Sequence, residues 1–312
     1  MADDGDDVVG GRIARIEAIV GRDLGRRGIE RLVRLSRGGL LGAARSLAGH
    51  PRPHVAIISG FYIPWADPPA AESDGPVGAA HLAAALGRAG IPCRFATDTP
   101  CVPVLRAAAS ATGLPGDFPI DAVALRDGDG GASVDGVLAV WDGLTPPVSH
   151  VIAIERCGPA EDGRCYNMRG DDVTPHTVPL DRLFLGGGRV RIGMGDGGNE
   201  IGMGSIPPEV IAADIRNGER IRCRTPCDHL MVLGASNWGG FALPTALALL
   251  RPDLRAALTA GLTPEADAAI LRRITEDGPA VDGVTGRPAF QVDGVPWEVH
   301  GGVMREVLAQ LD

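Results

Sequence analysis

Six carboxylates sit where short apolar runs give way to glycine-supported turns: Glu72, Asp74, Asp98, Glu155, Asp196 and Glu200. Gathered into one crevice, they would repel one another and raise each other's pKa values. A divalent cation relieves that repulsion, and an all-oxygen ligand set favours Mg²⁺, Mn²⁺ or Ca²⁺. Alternatively, two of them serve as acid and base while arginines neutralise the rest. Helix capping competes for some of these residues, because Ser73 or Asp74 just before Pro76 fits an N-cap followed by a helix-starting proline.

The densest segment is Gly193-Met-Gly-Asp-Gly-Gly-Asn-Glu200, where two carboxylates and Asn199 lie among glycines. It matches Gly-x-Gly-x-x-Gly, but Asp196 would face a pyrophosphate and no helix follows Gly198 directly. A nicotinamide cofactor is therefore not expected. The glycines point instead to a backbone passing close to a ligand or metal. Arg156 and Arg169 are candidate carboxylate or phosphate clamps, since guanidinium pairs bidentately with either; Arg156 could equally pair with the acidic cluster. Asn167 and Asn237 offer neutral hydrogen bonds, and Trp238 suits core packing. His54, His81, His150 and His229 lack ligand spacing and read as structural. No Gly-x-Ser-x-Gly elbow is present, and Ser59, Ser236 and Cys157 have no evident partner base.

These loops follow elements that can position them. His54–Ile58, Cys93–Thr97, Val151–Ile154, Val190–Ile192 and Leu230–Leu233 read as buried strands, alternating with helices at Val77–Ala89, Val102–Ala111 and Trp238–Leu250. Further helices are expected near Pro208–Asn217 and Pro264–Glu276, then a hairpin over Phe290–Pro296 and a terminal helix over 298–310. The fold class expected is α/β, a doubly wound, mostly parallel sheet with helices on both faces. One domain is expected: a helical segment at 8–50, a sheet core with the site loops at 51–260, and C-terminal helices and hairpin at 261–312. The Gly-, Asp- and Pro-rich stretch 113–147 has no clear assignment. In such sheets ligands bind outside the carboxyl ends of the strands, where these polar loops gather.

Composition excludes whole classes of chemistry. All 30 basic residues are arginine, so no lysine Schiff base with pyridoxal phosphate and no P-loop lysine is available. A net charge of −9 argues against a nucleic-acid partner. The N-terminus is acidic, unlike a secretory or transit leader. The charge-free stretch Leu230–Leu250 contains Gly239, Gly240 and Pro244 and reads as buried strand, turn and helix rather than a membrane span. The 6 cysteines are expected to be reduced thiols, and the Cys223…Cys227…His229 spacing falls short of a zinc site. A cytoplasmic protein with a small-molecule substrate is expected, with a homo-oligomer left open.

Glu72-Ser-Asp-Gly-Pro76, Glu155-Arg156, Tyr166-Asn-Met-Arg-Gly170, Gly193–Gly204 and Ser236-Asn-Trp-Gly239 together resemble the D-glutamate cyclase C-terminal domain family, over roughly residues 9–311. Ser73 and Val77 depart from the family's usual Thr and Pro without removing a carboxylate. The resemblance implies a hydro-lyase that closes D-glutamate to 5-oxo-D-proline plus water, in an acidic pocket that binds a divalent metal. In mitochondrial members a separate N-terminal domain precedes this one, and no counterpart is recognised here. On that reading Glu72, Asp74 and Asp196 hold the metal, and Glu155 or Glu200 is the base, with Asp196 also catalytic. Arg156, Asn167, Arg169, Asn199, Ser236 and Asn237 form the substrate-binding set. A metal-dependent phosphatase or other phosphoryl-transfer enzyme is the rival reading, and a non-catalytic small-ligand binder the third.

Overall fold

The computed structural model describes residues 4–126 and 128–312. Its centre is a six-stranded sheet of β1 (Val55–Ser59), β2 (Cys93–Asp98), β3 (Ile120–Val123), β4 (His150–Ile154), β5 (Val190–Gly195) and β6 (His229–Val232). The spatial order is β3-β2-β1-β4-β5-β6, and every neighbouring pair is parallel. β1 and β4 are buried along their whole length, as the apolar runs 55–58 and 151–154 require.

Alternate residues of these strands feed two cores. Val55, Ile57, Ile152 and Ile154 pack under helices Asp4–Val20, Gly39–Gly49, Pro76–Arg88 and Gly239–Leu250. Ala56, Ile58, Val151 and Ala153 face the other way, against Val137 and Trp141 of helix Val134–Gly143 and against Leu183 and Phe184. Helices thus cover both faces, the doubly wound arrangement expected from the alternation of elements. Two of these helices nearly touch: a Cβ on Gly240 would lie 2.1 Å from the Gly78 carbonyl oxygen.

The stretch 113–147 contains the edge strand β3 and helix Val134–Gly143, whose first turn is capped by Ser133 Oγ accepting from Gly136 N at 3.0 Å. β3 escapes an apolar pattern because Asp121 faces a polar cluster, accepting from Arg94 and from Trp141 Nε1 at 2.7 Å. Leu230–Leu250 divides into the end of β6, a short 3₁₀ turn at Ser236–Trp238 and the helix Gly239–Leu250. No described helix is long and apolar enough to cross a membrane. All 6 cysteines are free.

Two small additions matter to the site. A three-stranded sheet pairs Ala70–Glu72 with Tyr62–Ile63 and with Ala280–Val281, drawing the C-terminal region against the loop after β1. Beyond it, Gln291–Val292 and Val295–Pro296 form a hairpin closed by Asp293-Gly294, both with positive φ (56° and 72°). That two-residue Asp-Gly loop is the geometry a tight hairpin favours.

Candidate active site

The strand order reverses between β1 and β4, and a crevice is expected outside their carboxyl ends. A cavity of about 130 Å³ opens there. Glu72, Glu155, Asp196, Asp293, Arg27, Asn167, Arg169 and Asn199 supply its polar lining. Phe61, Ile63, Trp65, Met168 and Val284 form its apolar wall.

Carboxylate oxygens of Asp74, Glu155 and Asp196 all lie within 4.8 Å of one another, and all three residues are buried. Each reaches the cluster from a different loop. Asp74 sits between two helix starts: its Oδ1 accepts from Gly75 N and Asn237 N, both at 2.8 Å, and its Oδ2 from Ser236 N at 3.0 Å. Glu155 leaves β4 with φ +44°, a left-handed conformation costly for a residue with a Cβ. Its Oε2 accepts the Ser236 hydroxyl at 2.5 Å. Asp196 follows β5 and pairs through Oδ1 with Arg27.

Glu72 lines the same cavity but lies outside that trio, so the three carboxylates brought closest differ from the set Glu72, Asp74 and Asp196 by one exchange. Glu72 Oε1, Asp196 Oδ2 and Asn199 Oδ1 are buried and have no hydrogen-bond partner. Buried oxygens of this kind carry a desolvation cost unless a ligand satisfies them. The trio could hold a metal ion: its donors are hard oxygens, and Asp196 Oδ2 is a free one.

Electrostatics point the same way. Burial, then Asp293, Asp74 and Asp196, pushes the Glu72 carboxyl well up. Burial, then Asp196, Glu200 and Glu72, does the same to Glu155. Asp74 is raised by burial and by Asp293, Asp196 and Glu155, against the pull of its N–H donors. Asp196 is raised by burial despite Arg27. Asp293 moves the other way: burial opposes its charge, but Arg27, Asp74 and His300 hold it below the usual range.

The other expected residues divide between the cavity wall and the structure beneath it. Arg156 is fully buried and does not line the cavity. It points back beneath the strand ends, donating to Asp98 Oδ2 at 2.6 Å, Gly60 O at 2.7 Å and Val178 O at 2.8 Å. It belongs to the fold, pinned by a strand-end carboxylate that is itself outside the cavity. Glu200 also turns inward, its carboxylate accepting from the backbone N–H groups of Asp196, Gly197 and Gly198 at 2.6–2.8 Å. It shapes the glycine loop and lies off the cavity wall. Asn237 is held by Gly78 N and donates to Ser73 O. Asn167 folds its own loop, accepting from Arg169 N and Asp171 N at 2.9 Å while one face meets the cavity. Asn199 Nδ2 donates to Tyr166 O at 2.8 Å. Arg169 is exposed at the mouth, stacked on Trp65 and donating to Val284 O at 2.9 Å.

Arg27 and Asp293 were not among the expected residues. Arg27 Nη2 meets Asp293 Oδ2 at 3.0 Å, joining the N-terminal segment to the C-terminal hairpin inside the pocket. Asp282 steadies the far side, accepting from Gly294 N and Thr285 N at 2.8 Å each. The Asp-Gly turn at 293–294 was the available signal for Asp293; an arginine before Gly28 offered none.

The fold and site define a doubly wound α/β protein with a buried carboxylate pocket at its switch point. The chain belongs to the D-glutamate cyclase-like, C-terminal family, whose model matches residues 16–308. It is 35% identical over 247 residues to the human protein D-glutamate cyclase, mitochondrial, a match covering 77% of this chain and 39% of that one. The chain thus spans about two-fifths of the length of that relative.

Proposed function

We propose that this chain is a lyase of D-glutamate cyclase type, closing D-glutamate to 5-oxo-D-proline with loss of water. The observation that carries the reading is the meeting of Asp74, Glu155 and Asp196 at the switch-point cavity of a family member. Ring closure joins the amine nitrogen to the γ-carboxyl carbon and expels one carboxyl oxygen as water. The amine must first be neutral, so a base is required.

Glu155 suits that role better than Glu200, because Glu155 lines the cavity and Glu200 is engaged by backbone N–H groups. A carboxylate whose proton affinity is raised by burial and neighbouring charge can take the two protons that the nitrogen sheds, one before and one after attack, and pass each to the departing oxygen, which leaves as water. Ser236 orients that carboxyl by donating to Oε2. Arg169 at the mouth can hold the α-carboxylate, and the apolar wall excludes water from the closing ring. Mn²⁺ or Mg²⁺ would be held by Asp74 and Asp196, with Glu72 alongside, leaving Glu155 as the base, and would supply polarisation of the γ-carboxyl group.

Proton NMR of the protein with D-glutamate tests this, with Mn²⁺ present and again after EDTA. Appearance of 5-oxoproline that depends on the cation, and its loss in Asp196→Asn with folding intact, is expected. No product in either tube, or a fully active Asp196→Asn, would overturn the reading; phosphate release from an ester panel would then favour phosphoryl transfer.

A further inference from the structure

The pocket has a cation of its own. Arg27 pairs with Asp196 and with Asp293, and its charge also acts on Glu155 and Asp74, the other two of the clustered carboxylates. The backbone around it is fixed. Asp23 accepts from Arg27 N at 2.9 Å and Gly28 N at 2.7 Å, and a Cβ on Gly28 would lie 2.6 Å from Asp214 O. Of the described residues lining the cavity, the other arginine is Arg169, which is exposed and turned to Trp65 and Val284.

A single guanidinium does not balance Glu72, Asp74, Glu155, Asp196 and Asp293 once they are ionised. Asp196 Oδ2 and Glu72 Oε1, on cavity-lining residues that are both more than nine-tenths buried, have no hydrogen-bond partner. The remaining charge leaves room for a second cation. That cation would meet Arg27 across the shared Asp196 carboxylate, and like charges at such distances repel strongly in a buried site.

We propose that Arg27 is the pocket's built-in counter-cation, competing with a divalent cation for the same carboxylates and setting the affinity with which that cation is held. The inference rests on the reading of this carboxylate cluster as a cation site. It makes a prediction of sign. If Arg27 merely orients Asp196 as a ligand, neutralising it weakens the divalent cation. If it competes, neutralising it tightens the cation.

Calorimetric titration with Mn²⁺ of the wild-type chain, Arg27→Gln and Arg27→Lys decides between them. Arg27→Gln is expected to bind Mn²⁺ tighter by about tenfold or more, which corresponds to roughly 1.4 kcal/mol, with Arg27→Lys close to wild type. An unchanged or weaker affinity in Arg27→Gln overturns the proposal, as does the absence of Mn²⁺ binding in both. Should Arg27→Gln unfold in EDTA, recovery of its circular dichroism on adding Mn²⁺ supports the proposal, and failure to recover counts against it. The assay for 5-oxoproline is independent. A wild-type chain that makes none, yet shows this order of affinities, loses the reaction and keeps the counter-cation.

Discussion

Ser236 gives its hydroxyl to Glu155 Oε2 at 2.5 Å while its own N–H is given to Asp74, so one residue at a helix start ties two carboxylates of the pocket together. The hydroxyl stabilises the charged form of Glu155. Ser236→Ala removes that bond and leaves the backbone tie to Asp74. The expected result is a fall in kcat of roughly 10²-fold and a shift of the acid limb of the pH–rate profile to higher pH, because the anion has lost a donor. A limb that stays in place would remove Glu155 as the base.

The carboxylate cluster imposes a pH dependence on stability. Glu72, Asp74, Glu155 and Asp196 have folded-state pKa values raised above those of the unfolded chain. Between those values the folded form binds more protons, so their contribution to stability is present below the ordinary carboxylate range and declines as pH rises through the raised values. Asp293, held low, contributes with the opposite sign but alone. In EDTA the urea midpoint is expected to fall as pH rises above the ordinary carboxylate range, and Mn²⁺ should flatten that fall. A midpoint that climbs instead would show the cluster to be neutralised by other means.

His150 sets a limit at the acid end. Burial, then the charge of His50 beside it, lowers its pKa to about 4. The folded chain therefore binds fewer protons than the unfolded one from the ordinary histidine value down to about 4, and stability is lost as pH falls through that window. The loss is at most roughly 3 kcal/mol. In His150→Gln the slope of stability against pH between those limits should be shallower than in the wild type; equal slopes would exclude His150 as its source.

Gly240→Ala should be severely destabilising, by about 3 kcal/mol or more. Its Cβ would lie 2.1 Å from a backbone oxygen of helix Pro76–Arg88, which cannot rotate away as a side chain can. Both helices begin at Asp74, so the pocket should loosen with them. A chemical melt within 1 kcal/mol of wild type would mean the helices can part cheaply.

Much of this arrangement can be read from the chain, and the gaps have physical reasons. Buried parallel strands announce themselves as apolar runs, and the polar turns after them follow from where such strands end. β3 has no such run, because Asp121 serves Arg94 and Trp141. A residue's place at a strand end does not say which way its side chain turns: Glu155 enters the cavity, whereas Arg156, next in sequence, points away from it. Glu200 looks like a pocket acid until its neighbours' N–H groups close on it. Arg27 could not be singled out from 30 arginines, since its partners come from β5's loop and the far hairpin.

The Arg27–Asp293 pair has a consequence for the birth of the protein. Its members come from segments far apart in sequence, and Asp293 reaches the pocket only on a hairpin made after every strand of the central sheet. A nascent chain can build its sheet well before that, but its cluster of buried acids lacks the hairpin's side of the pocket until that segment leaves the ribosome. Whatever the pocket does, it does only once the hairpin is in place.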